Sequence, residues 1–282
     1  MLKRIILLVV LGAILYYAAT NYTIRLSPES SSLNFINMPE GFKIEIFAEN
    51  ISGSFVSTPG PNPGPRMMLA KDNTVFASVP SQGKVIALED KNKDSKADNK
   101  KVFIEKLNRP HGIDYHEGWF YIAEEDRVIR VKDDNLDNLA DMSSLQVLAK
   151  LPGEGHWTRT VKIINEEMYI SVGSSCNVCI EEEKTRASIQ KCKLDGSECK
   201  TYAKGLRNSV GFLKHEGKIY ATENGRDGLG ENYPPDEINI LEEGKDYGWP
   251  YCYGRQVHDT EFDKSNINPC SNTENPLIEL PA

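Results

Sequence analysis

The sequence has no surplus of basic charge. Its 282 residues carry 33 Lys and Arg against 41 Asp and Glu, which gives a formal net charge of −8, and no cluster of basic residues reverses that balance locally. A surplus of negative charge repels the phosphate backbone of a nucleic acid. The composition therefore argues against nucleic acid as a partner.

The sequence also lacks a hydrophobic run long enough to span a bilayer unaided. The longest run, Ile5 to Ala19, is shorter than the roughly 20 residues that a transmembrane helix needs. Lys3 and Arg4 precede it, which is typical of a signal peptide. We expect residues 1–24 to be a signal peptide or a retained membrane anchor, with a buried core helix as the third alternative. Either of the first two predicts an exported protein on the periplasmic or extracellular face.

Helical periodicity is scarce after this leader. Residues 25–37 are polar and rich in serine, as expected for a linker, and only Asp133 to Leu145 suggests a short helical turn. Alternating runs typical of β-strands recur instead. Four of them contain an aromatic residue about every 50 positions, a period typical of four-stranded propeller blades. These residues are Phe76, Tyr121, Tyr169 and Tyr220.

Each of these four runs is followed by a second strand-like run, so we predict an all-β propeller over residues 38–282. About five blade periods fit into that length. The closing segment NPLIELPA is apolar and predicts the opening of a further, incomplete blade. We therefore expect the chain to be part of a longer ring, because an open ring leaves an unpaired sheet edge.

The six cysteines fall into local pairs. Proximity predicts the disulfides Cys176–Cys179, Cys192–Cys199 and Cys252–Cys270, which suit an exported chain. The alternative for the first pair is half of a zinc site or a redox pair. No second CxxC or HxxxH motif lies near it to complete a zinc site.

Two stretches have the composition of calcium loops. In the first, oxygen-bearing side chains alternate as at the first, third, fifth and ninth positions of such a loop, although Ser95 replaces the usual glycine and Lys101 the usual glutamate. These side chains belong to Asp90, Asn92, Asp94 and Asp98. A charged hairpin turn is the alternative.

The second stretch, ATENGRDGLGENYPPDEIN, combines glycines with acidic residues. This stretch follows one predicted strand. His156, in GEGHWTRT, and Arg207, in GLRNSVG, each lie just before another predicted strand. Equivalent points of successive propeller blades converge on the central channel, so we expect one pocket to hold all three. A histidine, a guanidinium and a divalent cation together suit redox or hydrolytic chemistry. An acidic surface loop is the alternative for the glycine-rich stretch.

Seven motifs in order carry a resemblance to a known family. They are PHGIDY, GHWTRT, YISVGSSCNVC, GLRNSVGF, ATENGRDGLG, PPDEIN and YGWPYCYG, between about Met38 and Gly254. The chain resembles the soluble pyrroloquinoline quinone (PQQ) dehydrogenases of the glucose and sorbosone type, which include the aldose sugar dehydrogenases. The resemblance implies a six-bladed propeller with PQQ over its channel, of which this chain lacks the C-terminal part.

The resemblance implies roles for single residues. His156 matches the base that takes the proton of the sugar's anomeric hydroxyl, and Arg207 with Asn208 matches the pair that orients substrate and PQQ. Gly225 and Arg226 match the positions whose backbone carbonyls bind calcium, and Arg226 is also counted among the cofactor contacts. Asp236 and Glu237 match the acidic segment that supports this loop. His111, in PHGI, matches the cofactor rim more loosely.

One position departs from the family pattern, because Ser174 stands where the glucose-oxidising branch has an aspartate. A serine cannot hold the imidazole of His156 by charge. Three functions follow as alternatives: a PQQ-dependent dehydrogenase of a sugar or aldehyde with an unidentified electron acceptor, a calcium-dependent propeller lactonase, or a non-catalytic propeller that binds glycans or proteins.

Overall fold

A computed structural model of the chain describes residues 33, 36–51, 64–231 and 233–281. The predicted leader at residues 1–24 and most of the predicted linker at 25–37 lie outside these residues. The chain divides into two units, Met1–Ile46 and Phe47–Ala282, and the second unit contains every strand of the described residues. Within the described part, no helix has the length and apolar character needed to cross a membrane.

The second unit consists of four-stranded antiparallel sheets, and we call each sheet a blade. Blade 1 contains β1 (Met68–Lys71), β2 (Thr74–Val79), β3 (Lys84–Glu89) and β4 (Asn99–Glu105). Blade 2 contains β5 (Ile113–His116), β6 (Trp119–Ala123), β7 (Arg127–Lys132) and β8 (Asp141–Lys150). Blade 3 contains β9 (Val161–Ile164), β10 (Glu167–Val172), β11 (Ser188–Lys193) and β12 (Lys200–Lys204).

Blade 4 contains β13 (Phe212–His215), β14 (Lys218–Glu223), β15 (Asp236–Leu241) and β18 (Ile278–Leu280). A two-stranded hairpin, β16 (Cys252–Tyr253) and β17 (Val257–His258), lies between its third and fourth strands in the chain. The first strands of the blades contact one another in chain order, β1 with β5, β5 with β9 and β9 with β13. This up-and-down order confirms the all-β, propeller-like prediction.

The four aromatic residues that set the predicted period all lie in second strands, and three of them are buried. Strands β2, β6 and β10 are buried along most of their length on both faces. Neighbouring blades cover both faces of β6 and β10, whereas Phe47, Ala48 and Ile51 cover the face of β2 that points away from blade 2. β-Branched and aromatic side chains suit such strands. The strong sequence signal of these strands follows from this two-sided burial.

Hydrophobic clusters join each blade to the next. Between blades 1 and 2, the ring of Phe120 lies 4.7 Å from that of Phe76 and 4.5 Å from that of Phe103. All three rings are almost completely buried. Comparable clusters join blade 2 to blade 3 and blade 3 to blade 4. The blades therefore share their cores, and the loops between them are held in a fixed relation.

Two predictions about segments are wrong. The NPLIELPA segment does not open a further blade, because β18 pairs with β15 through Asp236 opposite Leu280 and Ile238 opposite Ile278. The described residues thus form four blades and not about five, since the hairpin insertion delays the last strand of blade 4. The predicted helical turn is also absent, since β8 begins at Asp141 and the residues before it form turns and bends.

The predicted disulfides Cys176–Cys179, Cys192–Cys199 and Cys252–Cys270 are all confirmed, and none of the six cysteines is free. The first pair is therefore not a set of thiolates ready for zinc in this state. The third disulfide fastens the hairpin β16–β17 to the segment that leads into β18. Each disulfide lies within one blade.

Replacing Phe120 with Ala tests the interface between blades 1 and 2. Loss of a buried ring leaves a cavity, so we expect the free energy of unfolding to fall by about 3 to 5 kcal/mol in urea denaturation. The matched control is Leu136→Ala, since Leu136 is 75% exposed and should change it by less than about 0.5 kcal/mol. Equal effects of the two substitutions would contradict the shared core.

Candidate active site

Loops from blades 3 and 4 surround a cavity of about 820 Å³. The loop before β9 supplies His156, the loop before β13 supplies Arg207 and Asn208, and the loop between β14 and β15 supplies Gly225 and Arg226. The structure thus brings five predicted site residues into one cavity. Further residues complete the wall: Arg66, Trp157, Thr158, Val210, Asn224, Asp227, Gly228, Gly230, Glu231, Tyr233 and Asp236.

Hydrogen bonds fix the tautomer of His156. Its Nδ1 lies 3.0 Å from the backbone carbonyl oxygen of Ser174, which can only accept, so Nδ1 carries the proton. The Ser174 hydroxyl lies 2.9 Å from the same nitrogen and donates its own proton to the carbonyl oxygen of Cys176 at 2.6 Å. Among the described residues, none hydrogen-bonds to Nε2 of His156. The unprotonated Nε2 is therefore the nitrogen that can accept a proton.

Burial and a neighbouring cation keep His156 neutral. Burial lowers the pKa of its imidazole below the ordinary value of 6.5, and the Arg207 guanidinium lowers it further. Ser174 orients the ring by hydrogen bonds without adding the negative charge that an aspartate would bring. The departure from the family pattern therefore leaves the imidazole oriented but removes one cause that would raise its pKa.

Arg207 is buried although it carries a charge. Its guanidinium donates to the backbone and side-chain oxygens of Asn177, both at 2.9 Å. It also donates to the carbonyl oxygen of Asn224 at 3.3 Å and to the carboxylate of Asp227 at 3.1 Å. Burial lowers the pKa of Arg207 from its ordinary value, but an arginine remains charged. The cavity wall therefore presents one fixed positive charge.

Hydrogen bonds hold both the side chain and the backbone of Asn208. Its side-chain oxygen accepts a hydrogen bond from the Thr158 hydroxyl at 3.0 Å, and its backbone N–H donates to a side-chain oxygen of the buried Glu223 at 2.7 Å. Gly173 allows this close packing. A Cβ there would lie 2.6 Å from the Cβ of His156 and 3.0 Å from the side-chain oxygen of Asn208. Gly173 is therefore required where these two site residues meet.

Of the two acidic residues expected to support the loop after β14, Asp236 bonds to that loop and Glu237 bonds to the β16–β17 hairpin. Asp236 accepts a hydrogen bond from the backbone N–H of Gly225 at 2.9 Å, and Glu237 accepts one from the backbone N–H of Gly254 at 2.7 Å. The Arg226 guanidinium turns to the buried Asp259 carboxylate at 2.7 Å. Within the described residues, no hydrogen bond is made to the backbone carbonyl oxygens of Gly225 or Arg226. A cation bound by those two oxygens would displace no hydrogen bond of the described residues.

His111 does not line this cavity. It is fully buried, its Nδ1 lies 3.1 Å from the carbonyl oxygen of Arg159, and its ring packs edge-on against Trp157. Burial lowers the pKa of His111 to about 4. Its Nε2 has no hydrogen-bond partner among the described residues. The structure thus places His111 behind the cavity wall, and its role at a cofactor rim stays a prediction.

The first predicted calcium loop is a turn between β3 and β4, away from this cavity. Asp98 accepts a hydrogen bond from the backbone N–H of Lys91 at 2.7 Å, and Asp90 accepts one from that of Ser95 at 3.0 Å. The Asn92 side chain donates to both Asp94 and Asp98. All four predicted side chains therefore face the interior of the turn. Calcium binding there stays a prediction.

Three residues of this region were not predicted from the sequence. Arg66 is exposed and lies before β1, far from every quoted motif, and its guanidinium lies 5.9 Å from the centre of the Trp157 ring. Trp157 follows His156 directly in the sequence, and Asn177 lies inside the quoted CNVC motif. Only their side-chain contacts show that they belong to the site.

Comparison with known proteins decides the family. A family model described as TrAA12-like matches residues 64–273, which is more than half of the chain. The chain belongs to the TrAA12-like family. An uncharacterized protein of Borreliella burgdorferi is 31% identical to it over 266 residues, which cover 88% of this chain and 64% of that protein. The chain thus spans less than two thirds of this relative's length.

Solved structures share the fold. The calcium structure of the Carbohydrate-Active Enzymes Family AA12 protein of Trichoderma reesei superposes with a TM-score of 0.66 at 19% identity, covering 80% of this chain and 69% of that one. The PQQ domain of pyranose dehydrogenase from Coprinopsis cinerea gives 0.64 at 21% identity, with 79% and 66% covered. PQQ-bound aldose sugar dehydrogenase from Streptomyces coelicolor gives 0.58 at 17% identity, with 79% and 69% covered.

The buried carboxyl of Glu223, which supports Asn208, predicts how stability depends on pH. Burial raises its pKa from 4.5 to about 8 in the folded chain, so the folded state binds more protons than the unfolded state between these values. The free energy of unfolding should fall by a few kcal/mol as the pH rises from 5 to 8. Denaturation of Glu223→Gln should show less of this fall. An identical pH dependence in both proteins would contradict the prediction.

Proposed function

We propose that this chain belongs to an exported quinoprotein oxidoreductase that oxidises the anomeric carbon of aldose sugars, or related aldehydes, with PQQ and calcium. The family membership and the PQQ and sugar named for the proteins of the same fold support this proposal. The observation that carries it is the neutral His156, with Nε2 unprotonated, in one cavity with the fixed charge of Arg207.

The residues of the cavity fit the two cofactors. PQQ is a flat tricarboxylate, and Arg66 and Arg207 offer positive charge on the cavity wall. A cavity of about 820 Å³ has the size expected for a small-molecule site. Calcium prefers oxygen ligands, and the backbone carbonyl oxygens of Gly225 and Arg226 are free of hydrogen bonds from the described residues. Asp227 and Asp236, on the same wall, add negative charge that favours a cation.

Three cavity residues have a defined part in the proposed reaction. PQQ, when bound, supplies the acceptor for the hydride of the sugar's anomeric carbon, and calcium polarises that acceptor. His156 takes the proton of the anomeric hydroxyl on Nε2. Arg207 stabilises the negative charge that develops next to it, and its fixed position avoids reorganisation during the reaction. Asn208 is held firmly enough to orient a bound ligand.

The fold and the cellular location extend this proposal. We place the four described blades in a six-bladed ring, which agrees with the greater length of the relative from Borreliella. Three disulfides support export, since such bonds persist in oxidising compartments. A retained N-terminal anchor would bring the enzyme near a membrane.

Reduction of a dye tests the activity. The protein, loaded with PQQ and calcium, is expected to reduce a dye in the presence of one or more aldoses and to stop when calcium is chelated. His156→Ala should lower kcat/KM by about 10²-fold to 10⁴-fold, the usual contribution of a general base. His215→Ala is the matched control, because the His215 side chain is 67% exposed and does not line the cavity.

The result also separates the alternatives. Lactone hydrolysis that needs calcium but no PQQ would contradict the dehydrogenase and support the lactonase. Failure to retain PQQ, together with glycan binding that His156→Ala does not change, would support the non-catalytic propeller.

The pH profile tests the role of Ser174. Because a base works in its neutral form and the pKa of His156 is lowered, kcat/KM should be flat near pH 7 and fall only below about pH 6.5. Ser174→Asp places a carboxylate beside Nδ1 and stabilises the imidazolium. The pH below which kcat/KM falls, the acid limb of the profile, should then rise by about one unit or more. Ser174→Ala, the control, should leave the limb near its original position, and an unmoved limb in Ser174→Asp would contradict this account.

A further inference from the structure

We propose that Asn177 is a positioning residue for Arg207 and that the Cys176–Cys179 disulfide holds Asn177 in place. Asn177 does not line the cavity, so it acts on a ligand only through its neighbours. The kinetic consequences of this proposal rest on the proposed function, but its structural part does not.

Asn177 makes the two shortest contacts of the Arg207 guanidinium. Its backbone oxygen accepts from Nε and its side-chain oxygen from Nη2, both at 2.9 Å. Two bonds along the Nε–Nη2 edge of a planar guanidinium fix both its position and its orientation. One residue thus determines where the cavity places its buried positive charge.

Asp227 cannot replace Asn177 in this role. Its carboxylate lies 3.1 Å from Arg207, but the Asp227 side chain is 85% exposed, so water and salt screen the ion pair. The remaining contact, from Arg207 to the carbonyl oxygen of Asn224, is long at 3.3 Å. The stable part of the arrangement is therefore the pair of bonds to Asn177.

Asn177 also holds the glycine-rich loop. Its side chain accepts from the backbone N–H of Asp227 at 2.8 Å and donates to the backbone carbonyl of Asp227 at 3.0 Å, as a paired strand would. Its backbone oxygen further accepts from the indole N–H of Trp249 at 3.3 Å. The residue therefore connects the β10–β11 loop of blade 3 to the site loops of blade 4.

The disulfide supplies the rigidity that the exposed Asn177 lacks by itself. It closes a ring of only four residues, from Cys176 to Cys179, and so limits the backbone conformations of Asn177. The Ser174 hydroxyl, which also contacts Nδ1 of His156, anchors the first residue of the ring through the Cys176 carbonyl oxygen. The ring thus ties the base and the guanidinium of the site to one rigid element.

Chemical labelling of arginine tests the structural part without any activity. Phenylglyoxal modifies accessible guanidinium groups, and mass spectrometry of peptides gives the rate at each arginine. In the unmodified chain Arg207 should react slowly, since it is 5% exposed. Asn177→Ala should raise its rate about tenfold, because the charge-assisted hydrogen bond from Nη2 to the Asn177 side chain is lost while the bond to the backbone oxygen remains. Fully buried Arg159 and exposed Arg66 should keep their rates, which shows that the fold is intact.

Three further variants make the test specific. Asn177→Asp keeps a side-chain oxygen as the acceptor for Nη2, so Arg207 should react with phenylglyoxal as slowly as in the unmodified chain. The double replacement Cys176→Ser with Cys179→Ser should raise the rate as Asn177→Ala does. Cys192→Ser with Cys199→Ser removes the other disulfide of blade 3 and should leave the labelling rate at Arg207 unchanged. An unchanged rate at Arg207 in Asn177→Ala overturns the proposal, and an equal rise with both disulfide replacements overturns the role of Cys176–Cys179.

The kinetic test separates this proposal from the proposed function. If the protein oxidises aldoses, Asn177→Ala should lower kcat by at least about tenfold with a smaller change in KM, and Asn177→Asp should recover most of it. Loss of activity that Asn177→Asp does not recover would overturn positioning of Arg207 through the side chain. If the unmodified protein shows no dehydrogenase activity, the proposed function fails, and the labelling rates still decide the role of Asn177.

Discussion

The site depends on the two contacts of Ser174 with Nδ1 of His156. A carbonyl oxygen can only accept a hydrogen bond, so this contact commits the proton of the imidazole to Nδ1 and leaves Nε2 unprotonated. Burial then disfavours the charged form of the ring. A neutral, oriented imidazole therefore follows from the position of one serine just after β10, and no carboxylate is needed to obtain it.

The fold makes this arrangement possible by joining loops of adjacent blades. Shared clusters of buried side chains hold blade 3 against blade 4, so the loop that carries His156 and the loop that carries Arg207 meet at a fixed distance. A buried guanidinium is costly unless its donors are satisfied. Asn177, Asn224 and Asp227 satisfy them, and all three come from loops rather than strands. The strands supply the scaffold, and the loops supply the charges.

The sequence predicted the features that depend on local pattern. Second strands such as that of Tyr121 were visible because burial on both faces requires apolar, β-branched and aromatic residues. The disulfides followed from proximity along the chain. The meeting of His156 with Arg207 was predicted because propeller blades repeat.

Features that depend on contacts between residues far apart in the chain could not be predicted from the sequence. The pairing of β18 with β15 follows a long insertion, and no local pattern marks the partner strand. The bonds of Asn177 to Arg207 join residues 30 positions apart, and the burial of His111 depends on packing against Trp157. Arg66 has no motif at all. These contacts arise only when the blades pack together.

The protonation state of His156 is the most direct test of this account, and nitrogen NMR of the histidine side chains measures it. The resonances of His156 can be assigned by their loss in His156→Gln. We predict that at pH 7 the ring is neutral, with a protonated Nδ1 and an unprotonated Nε2. A ring protonated at Nε2, or an imidazolium at pH 7, would contradict it.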